Sequence, residues 1–163
     1  MNAQKAIEAN LDTAALIATG YLEDLTEEDL LHRPDPKANH IKWQLGHLIV
    51  SDYRMIDGCC EGALTPLPEG FAEKYTRETS TEDDPAQFHT KAEYLALYQS
   101  QTAAIKDALA SLSEEQLDEA APEEIRSYAP TVGAAFVMVG GHWLMHAGQW
   151  AVIRRQLGRD PLF

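Results

Sequence analysis

A chain of 163 residues with 45% hydrophobic and 24% charged residues builds one globular core and is short for two, so residues 1–163 are read as a single domain. A formal net charge of −13 repels phosphate backbones and anionic lipid headgroups, which excludes nucleic acid and membrane surfaces as expected partners.

Cys59 and Cys60 are adjacent and cannot frame a disulfide scaffold, so they are expected to be reduced thiols of a cytoplasmic protein. The N-terminus shows no continuous apolar region of the signal-peptide kind. Residues 130–153 are long enough to span a bilayer but carry two histidines and a glutamine. A buried helix of a soluble bundle is the better reading.

In chain order, Ala3 to Leu22 reads as helix one, with Ile7, Leu11, Ala14, Ala15, Ala18 and Leu22 on one face. Thr26, followed by acids, starts a short helical turn that Pro34 and Pro36 break. Asn39 is the expected cap of helix two, about His40 to Gly58. Leu45, Leu48, Ile49, Asp52 and Ile56 lie along one side of it, and Trp43, His47, Val50 and Arg54 along another. The irregular stretch from Gly58 to His89 is long for a connection, and reads either as a lid or pocket wall or as a plain crossover. Thr90 and Glu93 form a capping-box pattern that opens helix three, which runs to about Leu112. Leu112 to Leu117 then echoes Leu25 to Leu30. The last long helix covers about Thr131 to Leu157, with Gly158 as its C′ residue and Arg154, Arg155 and Arg159 at its negative end. Four long helices without an alternating strand pattern predict an all-α fold, a four-helix bundle with a long connection between helices two and three.

Chemistry concentrates on three histidines. His142 and His146 stand four apart in an apolar run and share one helical face. His47 projects from mid-helix two, one turn after Trp43. Burying imidazoles requires partners, and two readings are open: satisfied core histidines, or a metal site. Three neutral nitrogens plus one open position is the catalytic arrangement of zinc, and nitrogen donors also suit nickel, iron and copper. Trp143 stands where the His-Glu-x-x-His pattern of metalloproteases has its base, which disfavours peptide hydrolysis. His32, His40 and His89 are expected to be exposed and unliganded. Gly140, Gly141 and Gly148 suggest close helix approach or room kept for a ligand.

The run from Asn39 to Leu48, the run from His142 to Gln149 and the ending Arg154 to Arg159 together resemble the DinB/YfiT-like superfamily over the whole length. That resemblance implies a four-helix bundle, frequent homodimers, and a divalent metal bound by His47, His142 and His146, with zinc or nickel the leading candidates. It also implies a metal-dependent enzyme, a transferase or isomerase acting on a small molecule with a low-molecular-weight thiol. The competing reading is a non-catalytic bundle that binds a metal or a small ligand. No catalytic residue beyond the ligand set is assigned.

Overall fold

Each α-helix among the described residues begins where a side chain accepts a backbone N–H that the helix itself leaves unpaired. In the computed structural model, which describes residues 1–162, Asn2 caps α1 (Ala3–Leu22), His40 caps α2 (Ile41–Cys59), and Thr90 caps α3 (Lys91–Ser111). Ser113 caps the single turn α4 (Glu114–Leu117), and Thr131 caps α5 (Val132–Gln156). The capping boxes at Thr90–Glu93 and Ser113–Gln116 are both complete. Thr26 and Asp29 exchange the same pair of bonds ahead of the 3-10 turn Asp29–Leu31, so the sequence echo reflects a repeated local device. The expected cap Asn39 is displaced by one residue: the imidazole Nδ1 of His40 accepts from Trp43 N at 3.1 Å.

The fold is all-helical. Among the described residues there is no strand, only an isolated antiparallel bridge between Ala120 and Thr131. α5 packs along α1 and against α2; α3 packs against α2 and α1; and the 3-10 turn Ala72–Tyr75 lies on α2. The buried residues of α1 are Ile7, Leu11, Ala14, Ala18 and Leu22, the spacing that the sequence gives one face. No helix among the described residues is long and apolar enough to cross a membrane.

Two glycines let elements approach closely. A Cβ at Gly46 would lie 2.2 Å from the Tyr75 ring, and one at Gly140 would lie 2.1 Å from Asn10 Oδ1 on α1. Gly141 and Gly148, by contrast, face open space. At the far end of α5, buried Arg154 pairs with Asp24 and donates to Tyr21 O at 3.0 Å, while Arg159 pairs with Asp29 at 2.6 Å. These arginines therefore bind α5 to the end of α1 and the turn after it, beyond any interaction with the helix dipole. Hydrogen bonds, with the arginines' charge added, hold the Asp24 and Asp29 carboxyls below their ordinary values. For Asp24 the leading cause is the Arg154 hydrogen bond, and for Asp29 it is the bond from Thr26.

Candidate metal centre

α2 fixes the first histidine. The indole of Trp43, one turn earlier, stacks on the His47 ring with centroids 5.0 Å apart and planes 8° from parallel. Trp43 is itself anchored, since its Nε1 donates to Thr79 Oγ1 at 3.1 Å. The α2–α3 connection thus orients His47 indirectly.

α5 brings the other two. His142 and His146 are one turn apart, and their Nε2 atoms are 3.2 Å from each other. One ring nitrogen from each of His47, His142 and His146 lies within 4.8 Å of the others, and all three residues are half-buried. Among the described residues the cluster includes no carboxylate and no thiol.

A buried glutamine sets the proton on His146. Gln44 Oε1 takes the indole N–H of Trp150 at 2.8 Å. An indole nitrogen can only donate, so the atom facing it is the amide oxygen. The same oxygen lies 2.8 Å from His146 Nδ1, which must therefore carry the hydrogen. The Nε2 of neutral His146 is then a bare lone pair, directed at His142. Burial, followed by the charge of its neighbours, pushes His142 down to about 4 and His146 down to about 3. His47 is lowered as well, first by burial and then by Arg54. All three imidazoles are neutral donors at neutral pH.

A cavity of about 860 Å³ opens beside this cluster, with His47 and His142 in its lining. Its outer wall is the segment between α4 and α5, which contributes Pro122, Glu124, Ile125 and Tyr128. That segment is closed at its base: Ala121 N bonds Pro130 O at 3.1 Å, and Val132 N bonds Glu119 O at 3.0 Å. Inside it Arg126 donates to Ala121 O, and Ala121 and Ala129 are fully buried. It is a compact loop packed on its own side chains. The α2–α3 connection, read either as a lid or pocket wall or as a plain crossover, contributes none of the described lining residues, since Gly58 belongs to α2.

A family model described as the DinB superfamily matches residues 11–150. The chain belongs to the DinB superfamily. No curated protein matches it.

The remaining histidines of this DinB-superfamily chain stand apart from the cluster. His40, expected to be exposed, is fully buried: its Nδ1 caps α2 and its Nε2 donates to Glu82 O at 3.0 Å. His89 Nδ1 lies 2.7 Å from the Tyr75 hydroxyl, and His32 Nε2 lies 2.9 Å from Gln156 Oε1. Each has found a hydrogen-bond partner in place of an ion. Cys59 and Cys60 are half-buried free thiols, both pushed up by burial, Cys59 to about 11. Neither is a ready nucleophile.

The donor set suits a divalent ion. Metal–nitrogen bonds of about 2.0–2.1 Å at tetrahedral angles place neighbouring nitrogens roughly 3.3 Å apart, close to the His142–His146 spacing. Gln44 escaped the sequence reading, because its two partners lie 102 and 106 residues away. A polar residue at a buried helix position, three before His47, was the available signal. Replacing Gln44 with Leu strips the acceptor from His146 and Trp150. Zinc affinity is expected to fall about 10–100-fold, as for lost hydrogen-bond partners of ligands elsewhere. Titration against a competing chelator measures this. Unchanged affinity would mean that Gln44 only packs.

Proposed function

We propose that this protein is a metal-dependent transferase, a four-helix bundle in which His47, His142 and His146 hold a zinc or nickel ion at the floor of the cavity. The observation that carries this reading is the convergence of three neutral imidazoles beside a cavity large enough for a small molecule, with no acid or thiol among the described residues of the cluster. An ion held by three uncharged ligands keeps its full dipositive charge and lowers the pKa of a thiol that reaches it.

The residues divide the remaining work. Gln44 holds the His146 proton on Nδ1 and so keeps Nε2 available. Trp43 fixes the plane of His47. The loop of residues 118–131 shields one side of the cavity from water. In the reaction, the thiol sulfur forms a bond to an electrophilic carbon, the leaving group departs with its electron pair, and the thiol proton passes to solvent.

Protein loaded with zinc or nickel is expected to accelerate transfer from a small thiol to an activated electrophile such as 1-chloro-2,4-dinitrobenzene. Chelation should abolish the gain and metal should restore it. A rate no higher than that of the free thiol, across several thiols and both metals, would remove the transferase reading.

A further inference from the structure

The cavity beside the histidines has a chemical character of its own. Met55, Met138 and Met145 line it, three of the four methionines in the chain, together with Ile125 and Tyr128. Methionine side chains are flexible and polarisable, and they adapt to apolar bodies of varied outline. Against this surface stands one cation, Arg54, one turn beyond Ser51 on α2.

Arg54 differs from the paired basic residues. Arg33, Lys42, Lys106, Arg154 and Arg159 each meet a carboxylate. Among the described residues no hydrogen bond or ion pair engages Arg54, an exposed side chain, and of the basic residues in that state it is the one that lines the cavity. An unengaged guanidinium at the edge of an apolar cavity is a fork for a carboxylate. Seven residues separate it from His47 on the same helix, so its Cα lies about 10 Å from that of His47 along the axis. The opposing charge in the lining is Glu124 on the loop, which disfavours a second negative group.

From this arrangement we infer that the substrate accepted by the cavity is an apolar molecule bearing a single carboxylate, its charge held by Arg54 and its opposite end turned toward the histidines; this rests on the site proposed above. A polyhydroxylated or multiply charged molecule fits poorly. Besides the histidines, the polar side chains among the described lining residues are Ser51, Arg54, Glu124 and the Tyr128 hydroxyl, too few to partner many hydroxyls that would lose their hydrogen bonds to water.

Calorimetric titration with n-octanoate and 1-octanol, on metal-free and on zinc-loaded protein, tests the inference. Octanoate is expected to bind about tenfold or more tightly than octanol, as a charge-assisted hydrogen bond provides. Arg54→Gln should erase that preference while leaving octanol affinity unchanged, and Glu124→Gln should strengthen octanoate binding. Equal affinity for acid and alcohol, or a preference that survives Arg54→Gln, overturns it. The two readings fail separately. An Arg54-dependent preference in protein that takes up no zinc upholds the cavity's selectivity and removes the metal. Stoichiometric zinc without the preference does the reverse.

Discussion

Alanine in place of His146 is expected to reduce bound zinc from about one equivalent per chain to less than about a tenth, since two imidazoles alone hold the ion far more weakly than three. Elemental analysis after dialysis against metal-free buffer measures the difference. The fold should survive the change. His146 is only half-buried, and Gln44 Oε1 keeps its bond from Trp150. The variant's helical circular dichroism is therefore expected to match the metal-free parent. A parent protein that retains no metal, or a variant that retains as much as the parent, would remove the metal centre altogether.

Trp143→Ala is expected to be the most destabilising single change, costing about 3–5 kcal/mol in urea unfolding. The indole is almost wholly buried, 4.1 Å from the Tyr98 ring centroid and edge-on to Trp150. Its Nε1 also donates to Asp52 Oδ2 at 2.6 Å, while Asp52 Oδ1 has no partner among the described residues. Complete burial holds the Asp52 carboxyl well above its ordinary value, and the Trp143 N–H pulls it partly back. An acid with a raised folded pKa contributes stability that is full below its unfolded value of 3.8 and is lost as pH rises through the folded value. Trp143→Phe, which removes the N–H but keeps most of the burial, raises that folded value further. Its penalty should therefore be larger in mildly alkaline than in mildly acidic buffer. A penalty that shrinks as pH rises would show that Asp52 does not titrate in this manner.

Much of the architecture could be read locally. Thr90 with Glu93, Thr131 and Gly158 marked helix ends within a residue or two, because caps act over three or four positions. The spacing of His142 and His146 placed them on one face, mid-helix His47 offered a third nitrogen, and the DinB-superfamily likeness favoured reading the three as one metal site. What stayed hidden depends on residues far apart in the chain. No local pattern states that Gln44 will meet His146 and Trp150, or that Asp52 will meet Trp143. The longer, more irregular connection read equally well as a cavity wall or as a plain crossover, and it supplies no described part of the wall. The wall comes instead from the shorter one, because that loop directly precedes α5 and folds back beside it. His40 misled for a related reason: a histidine at a helix start reads as solvent-facing until Glu82, 42 residues on, covers it.

The closed base of that shorter loop separates two kinds of change. Glu119, Ala121, Pro130 and Val132 pin the ends of the segment through backbone hydrogen bonds, and Arg126 adds a side-chain bond to Ala121 O. Glu124 and Tyr128, both exposed, can therefore be exchanged, in the laboratory or over generations, without shifting the helices that carry the imidazoles. That share of the cavity lining and the three imidazoles then reside on different parts of the chain, and one can diversify while the other is inherited intact.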